Sequence, residues 1–357
     1  MTEEFIRLNL RREKMKKLLV VVMLFAVSLA MALPCAAQEW PKQFVYGSYS
    51  KLSDSYPPTI GMAQLITTYT PTKCIIRSYA GGTPGLAALV KGDIDLWGMN
   101  QYGEYQAYYG LGAFKGKPQN IRLVSSVFTG GLAFGVRPNS GIDKIEDLAG
   151  KKVMCLWVSE FTNDTDRAIL EYYGLWDKIT KVRYVRFSEI VDAMTDKTAD
   201  AFGQAVGAGY TLQIKEAAGL KWIPISDGAI DHVTKKIKTA VKYVFPPSLL
   251  KMYDMPPDTV FNTWAYQFSQ VCKADLPEHV VYGIVKAIYE QGHIDEVKML
   301  SYHLGEVNLK AAAGGGNGGF EVPYHKGAIK YFKEKGVWTA ADQAKQKELL
   351  ASRGFKE

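Results

Sequence analysis

Short apolar runs alternate with amphipathic stretches from residue 44 onward. Residues 44–47, 74–79 and 93–99 are strand-like, and helix patterns beginning at Thr59, Gly85 and Tyr102 follow the three runs in turn. A period near two residues predicts a strand, and a period near 3.6 predicts a helix. This alternation of strand and helix predicts a parallel sheet covered by helices.

The same alternation restarts near residue 121. Its predicted strands are at 121–128, 132–137, 153–156, 182–186, 199–202 and 222–225. Its predicted helices are a short one within 141–149 and longer ones at 166–173, 189–195 and 210–218. The stretch between 157 and 164 is predicted as a loop. A second α/β unit therefore follows the first.

Two proline pairs, at 246–247 and 256–257, interrupt this series. Proline restrains its own backbone and the residue before it, so these pairs disfavour helix and mark a segment that crosses back. A strand at 263–271 and helices at 277–291 and 323–336 complete the predicted elements.

Two α/β units joined by a return crossing predict an α/β fold with two lobes around a cleft. We expect the first lobe to comprise residues 38–131 and 259–357, and the second lobe residues 132–258. Loops at the carboxyl ends of the strands face the cleft in such folds and are the usual place for ligands.

The composition fits a globular chain and argues against a nucleic-acid partner. The chain has 357 residues, of which 47% are hydrophobic and 22% are charged, with a formal net charge of +7. No dense Lys/Arg block follows Lys17, and the short run from Lys235 to Lys238 is typical of a solvated face.

The N-terminus has the pattern of a secretory signal peptide. A positive start at Met15 is followed by an apolar run at 18–33 and by small residues before Gln38, where we expect cleavage. Residues 1–14 read as an upstream extension. The run is too short to span a bilayer comfortably, and Leu33-Pro34 is a poor context for lipidation of Cys35. The sequence thus predicts export to the periplasm.

Three cysteines remain after this leader, and they favour buried free thiols. Cys74, Cys155 and Cys272 lie in apolar, strand-like contexts. The sequence also allows one disulfide between two of them. There is no Cys-x-x-Cys and no His-x-x-x-His spacing, so no metal or other cofactor is expected.

Several segments together resemble the TAXI-type solute-binding proteins of TRAP (tripartite ATP-independent periplasmic) transporters. The matching stretches share the order and spacing of family motifs, and they are residues 47–57, 81–83, 139–153, 197–202 and 323–336. The resemblance covers essentially the whole mature chain. It implies a type II periplasmic-binding-protein fold of the Venus-flytrap kind, with ligand between the lobes and a TRAP membrane subunit as partner.

The departures from the family pattern fall in the ligand loops. The first loop carries Tyr49 and Asp54 where the family is glycine-rich, and Asn100-Gln101-Tyr102 lacks the family's acid. Asp54 or Glu160 could replace that acid opposite an amino-acid ammonium. The resemblance implies a small organic acid or amino acid as ligand, and the sequence leaves the choice open.

Candidate ligand-binding residues combine polar and aromatic side chains at the predicted loops. Hydroxyl and amide groups can hold a small anion, and aromatic rings can stack on a flat or apolar ligand. Gln204 follows a strand of the second unit, where its amide can donate or accept a hydrogen bond across the cleft. The candidates are Ser48, Tyr49, Ser50, Tyr56, Thr83, Asn100, Gln101, Trp157, Ser159, Thr162, Gln204 and Tyr210.

Two other functions compete with a transport receptor. The first is a sensor subunit that feeds a membrane histidine kinase, which the sequence does not separate from a receptor. The second is an exported enzyme on the same fold, but the five histidines are scattered and no nucleophile–base arrangement is visible. We therefore expect a binding protein without catalytic residues.

Overall fold

The computed structural model describes Met15, residues 39–156 and residues 160–355. The predicted signal peptide lies outside these residues, apart from Met15. The chain divides after Trp40, and the fold below is that of the unit Pro41–Glu357. No helix within the described part is long and apolar enough to cross a membrane.

The strands of this unit share one mixed sheet. They are β1 (Gln43–Ser48), β2 (Lys73–Ser78), β3 (Leu96–Asn100), β4 (Ile121–Val136), β5 (Lys152–Leu156), β6 (Thr180–Arg183), β7 (Ala201–Ala205), β8 (Lys221–Ile223), β9 (Ala240–Val244) and β10 (Asn262–Lys273).

The α-helices cover this sheet and fill its connections. They are α1 (Tyr56–Tyr69), α2 (Gly82–Lys91), α3 (Gln101–Tyr109), α4 (Glu160–Tyr172), α5 (Phe187–Thr195), α6 (Gly209–Ala218), α7 (Asp227–Lys236), α8 (Pro247–Met252), α9 (Glu278–Tyr289), α10 (Tyr302–Glu306), α11 (Leu309–Gly314), α12 (Lys326–Glu334) and α13 (Ala340–Ser352).

The strand order repeats itself in the two halves of the sheet. In the first half β1 lies between β2 and β3 with parallel pairing, and β3 pairs antiparallel with β10. In the second half β5 lies between β6 and β7 with parallel pairing, and β7 pairs antiparallel with β4. We call these halves the first and the second lobe.

Two long strands connect the lobes. β4 and β10 pair antiparallel along most of their length, β8 adds to β4, and β9 adds to β10. Because each long strand belongs to both halves, the chain passes between the lobes twice. This arrangement confirms the predicted α/β, two-lobed fold of type II, whereas the exact lobe boundaries stay a prediction.

Strand β4 corrects the sequence-based boundaries most clearly. Two separate strands were expected, at 121–128 and 132–137, but one strand runs through both and is buried along its whole length. Gly130 and Gly131 lie between the two predicted runs, and glycine in a strand interior is weakening. Both glycines instead pair with β10, and the rings of Tyr266 and Tyr243 occupy the space that side chains at these positions would fill.

Other boundaries differ in physically simple ways. Helix α1 begins at Tyr56, earlier than expected, with proline at its first turn, where the missing N–H costs nothing. Helix α4 begins at Glu160, inside the stretch 157–164 that was expected to be a loop. The expected helix at 323–336 begins later, because His325 caps α12 by accepting a hydrogen bond from the Gly327 N–H.

The elements that were not predicted are three between residues 227 and 252, the two short helices α10 and α11, and the last helix. Helix α13 begins at a capping box, in which Thr339 and Asp342 bond to each other's backbone N–H groups. The three remaining cysteines are free, as predicted, with Cys155 and Cys272 buried and Cys74 half-buried.

Candidate functional site

A small cavity lies where the two lobes meet. Its volume is about 40 Å³, which leaves room for only a few water molecules. It is lined by Tyr49, Ser53, Asp54, Ser55, Asn100, Leu132, Phe161, Thr162, Phe187, Gln204, Ala205, Tyr266 and Phe268. Since these residues come from both lobes, a molecule larger than this volume would fit only if the lobes moved apart.

A second cavity of about 20 Å³ adjoins the first and shares Tyr49, Asn100 and Phe161 with it. Its lining also includes Thr83 and Glu160. Together the two cavities form the interlobe cleft described below. The starts of α2, α3 and α4 contribute to it, and helix starts present unpaired backbone N–H groups.

The loop after β1 holds an acidic residue at the cleft. The Ser53 N–H and hydroxyl both donate to the Ser50 carbonyl, at 3.0 Å and 2.8 Å, and the Thr59 hydroxyl donates to the Ser55 carbonyl at 2.8 Å. These local bonds explain the run of hydroxyl residues in this loop. They fix the backbone on both sides of Asp54.

Asp54 is buried and has one main partner. The Tyr266 hydroxyl donates a hydrogen bond to Asp54 Oδ2, and His303 Nε2 lies 3.6 Å from the same oxygen. Burial and the nearby Asp54 charge raise the pKa of Tyr266 well above its ordinary value, so its hydroxyl remains a donor.

His303 supports this acid without balancing its charge. Its ring is fully buried and stacks on Phe128 with centroids 3.8 Å apart. Burial lowers the pKa of His303 below its ordinary value and outweighs the opposing effect of Asp54. At neutral pH the imidazole is therefore uncharged.

The second lobe forms the opposite wall through residues that are already anchored. Gln204 donates from Nε2 to the Tyr184 hydroxyl at 3.0 Å, and Gln204 Oε1 accepts from the Ala205 N–H at 2.8 Å. The Tyr210 hydroxyl donates to the Ala205 carbonyl at 2.6 Å, and its ring stacks on Phe187 with centroids 4.8 Å apart. The residues of this wall are therefore held in place by hydrogen bonds within the second lobe.

Direct bonds between the lobes hold the cleft closed. The Tyr102 hydroxyl of α3 donates to Asp164 Oδ2 of α4 at 2.6 Å. The Tyr210 N–H at the start of α6 approaches the Leu52 carbonyl at 3.4 Å. Separation of the lobes would require both bonds to break.

The structure brings five of the predicted site residues together and places others elsewhere. Tyr49, Thr83, Asn100, Thr162 and Gln204 line the cleft. Trp157 and Ser159 lie outside the described residues. The remaining candidates, which do not line it, are Ser48, Ser50, Tyr56, Gln101 and Tyr210.

The candidates outside the lining have structural partners. Ser48 donates its hydroxyl to Thr59 Oγ1 at 3.3 Å, and Gln101 Nε2 donates to the Gly315 carbonyl at 3.1 Å. The Ser50 carbonyl closes the turn at Ser53, and Tyr56 is the first residue of α1. Tyr210 does not line the cavity, but its hydroxyl donates to the carbonyl of Ala205, which does.

Sequence reasoning missed the lining residues that come from buried strands and helix starts. In the first cavity they are Ser53, Ser55, Leu132, Phe161, Phe187, Ala205, Tyr266 and Phe268, and in the second Gly82, Met99, Tyr102, Gly103, Gln106 and Phe114. Tyr266 and Phe268 lie two apart on β10, and so on one face of it, but nothing local distinguishes this face from ordinary core.

The family profile of the NMT1-like family matches residues 50–336, which is most of the chain. The chain belongs to the NMT1-like family. The matched region begins in the loop after β1 and ends just after α12, so it includes every described residue of the cleft but Tyr49.

Solved structures with similarity to this NMT1-like chain are binding proteins by their descriptions. The substrate binding protein of an amino acid ABC transporter is 14% identical with a TM-score of 0.45, covering 72% of this chain and 96% of that one. An ancestral arginine-binding protein bound to arginine is 15% identical with a TM-score of 0.49, covering 73% and 98%. The periplasmic aliphatic sulphonate binding protein SsuA from Escherichia coli is 14% identical with a TM-score of 0.46, covering 87% and 84%.

Proposed function

We propose that this NMT1-like protein is an exported receptor that binds a small organic acid or amino acid between its lobes. The observation that carries the proposal is a cleft lined by side chains of both lobes and closed by bonds from one lobe to the other. A ligand stabilises a closed state only through contacts to both sides of the cleft, and this lining offers them.

The polar groups of the cleft suit a small polar solute. Three polar residues of the cleft lie at helix starts: Thr83 in the first turn of α2, Asn100 as the N-cap of α3 and Thr162 in the first turn of α4. Backbone N–H groups at helix starts favour a carboxylate. The Asn100 side chain accepts a hydrogen bond from the Gly103 N–H at 3.0 Å, which fixes its amide beside the cleft.

We further propose that the receptor works in the periplasm and delivers its solute to the membrane component of a TRAP transporter. The leader pattern before Gln38 supports export, and the TAXI-type motifs in residues 47–57, 81–83, 139–153, 197–202 and 323–336 support the partner. N-terminal sequencing of the mature protein tests the first point, with Gln38 expected as the first residue.

The test of solute binding starts with protein purified without denaturation. Mass spectrometry of the released small molecules should identify a solute, and adding that solute to refolded, ligand-free protein should raise its melting temperature. Saturation at one hundred times the dissociation constant adds about 2.7 kcal/mol to the free energy of unfolding. If no small molecule raises the melting temperature, the receptor proposal fails.

The TRAP partner has its own test. The receptor and the TRAP membrane subunits from its own genome are reconstituted in vesicles, and uptake of the identified solute is measured. Uptake that needs the receptor together with these subunits supports the proposal. Uptake with an ABC transporter instead would replace the TRAP partner and leave solute binding intact.

A further inference from the structure

The charges at the cleft are all of one sign. Asp54 lines the first cavity and Glu160 lines the second. Within residues 39–156 and 160–355, neither lining includes a lysine or an arginine. A pocket for a simple carboxylic acid normally contains a cationic side chain that pairs with the anion.

One carboxylate oxygen of Asp54, Oδ1, can accept a hydrogen bond from a ligand. Its Oδ2 accepts the bond from Tyr266, while no described residue donates a hydrogen bond to Oδ1. The residue is only 7% exposed, and a buried carboxylate without a counter-charge is costly. A cationic group on the ligand would supply both the missing donor and the missing charge.

The rings around this acid also suit a cation. The aromatic residues of the first cavity are Tyr49, Phe161, Phe187, Tyr266 and Phe268. Phe161 of α4 and Tyr266 of β10 approach each other, with ring centroids 6.1 Å apart. The faces of aromatic rings are electronegative, so they attract an ammonium group and do not attract a carboxylate.

We propose that the ligand carries an ammonium group that sits against Asp54, and that this residue selects amino acids and amines over plain carboxylic acids. The inference rests on the proposed receptor function and narrows its ligand class. Tyr266 is a positioning residue in this arrangement, because its hydroxyl bond fixes the Asp54 carboxylate. The carboxylate of an amino acid would lie toward Thr83 and the start of α2.

The experiment compares matched sets of compounds on refolded, ligand-free protein. For chains of two to six carbons, each α-amino acid is tested beside its decarboxylated amine and its deaminated acid, for example L-valine, isobutylamine and isovalerate. Calorimetry should detect binding within the amino acid and amine sets and at least tenfold weaker binding of the corresponding acids. Stronger binding of the deaminated acids would overturn the proposal.

An Asp54→Asn variant tests the residue itself. Asparagine keeps the size and an acceptor for Tyr266 but removes the charge, so affinity for the best amine-containing probe should fall at least about thirtyfold. The matched control is Asp177→Asn, which makes the same change at a side chain that is 95% exposed, and its affinity should stay unchanged. Melting temperatures of both variants establish that they fold.

The outcomes separate this inference from the receptor function. If deaminated acids bind and Asp54→Asn binds them equally well or better, the protein is a receptor but the ammonium assignment is wrong. If no member of any set binds and no solute is recovered from native protein, the receptor function fails and the inference falls with it.

Discussion

Thr162 is the point at which the first turn of α4 meets the cleft. It is 4% exposed, and its carbonyl accepts a hydrogen bond from the Thr165 hydroxyl at 3.1 Å, so its backbone is held in place. We expect Thr162→Ala to weaken binding of the natively recovered solute about tenfold, the worth of one hydrogen bond to a charged group. Isothermal titration calorimetry measures this loss.

Thr162→Ser is the matched control, since it keeps the hydroxyl and removes only a methyl group. It should retain most of the affinity, and both variants should melt close to the wild-type protein. Equal affinity of Thr162→Ala and wild type would remove this residue from the binding site.

Asp166 lies one turn further along α4 and is fully buried. Neither carboxylate oxygen has a hydrogen-bond partner within the described part of the chain, and the group lies directly against Gly203. Burial raises the pKa of Asp166 well above its ordinary value of 3.8. Burial therefore favours the neutral form of this acid in the folded protein.

This burial predicts how stability depends on pH. Because the folded pKa is raised, the stability that Asp166 contributes is complete below about pH 4 and is lost as the pH rises towards the folded pKa. Asp166→Asn is neutral at every pH, so the melting temperature of this variant should rise relative to that of the wild type as the pH increases above about 4. One pH unit of this range corresponds to about 1.4 kcal/mol. A difference that stays constant with pH would contradict the assignment.

Some residues of the site could be predicted from the sequence, and others could not. Thr83, Asn100 and Thr162 follow predicted strand ends, so topology alone places them near the cleft. The pair formed by Asp54 and Tyr266 joins positions 212 residues apart and depends on the register between strands. Strand pattern does not encode that register, so Asp54 was only an alternative and Tyr266 was missed.

Helices α3 and α4 face each other across the cleft, and one bond links them directly. Burial and the adjacent Asp164 raise the pKa of Tyr102, so its hydroxyl stays a donor to Asp164 Oδ2. Tyr102→Phe removes this bond from the closed state only. We expect solute affinity to fall about threefold to tenfold, while the melting temperature without solute changes little.

Tyr109→Phe provides the control on the same helix. The Tyr109 ring contacts the rings of Tyr105 and Tyr108, and loss of its hydroxyl should leave affinity unchanged. Equal effects of the two substitutions on affinity, or a fall in ligand-free stability with Tyr102→Phe alone, would mean that the bond does not serve closure.

Element prediction succeeded where local signals are strong and failed where tertiary pairing decides. Helix α9 buries Val280, Val281 and Ile284 along one face, as its period of 3.6 predicts. Strand β9 is a short edge strand in which half-buried and exposed positions alternate after the buried Ala240, and its pairing with β10 makes it a strand. Its five residues, Ala240–Val244, carry too little pattern to be recognised.

The two-lobed architecture was predictable because it follows from the order of strands and helices. The alternation predicts two parallel units, and the proline pairs before residue 259 predict the return. The continuity of β4 was not predictable, since two adjacent glycines weaken a strand. Here they let two tyrosine rings pack against the backbone at the passage between the lobes.

Gly130 couples this passage to the ligand site. A Cβ atom at Gly130 would overlap the ring of Tyr266, whose hydroxyl holds Asp54 at the cleft. Gly130→Ala must therefore shift either strand β4 or the Tyr266 ring, and overpacking of this kind costs about 1–3 kcal/mol. We expect a lower melting temperature together with at least about tenfold weaker solute binding.

Gly305→Ala is the control for the substitution itself, because a Cβ atom there meets open space on helix α10. Small-angle scattering tests the effect on closure, since solute should reduce the radius of gyration of the wild type and of Gly305→Ala but not of Gly130→Ala. Normal affinity and normal compaction in Gly130→Ala would show that the Tyr266 ring moves without disturbing Asp54. In that case a change in strand β4, which joins the lobes, would not affect the ligand site.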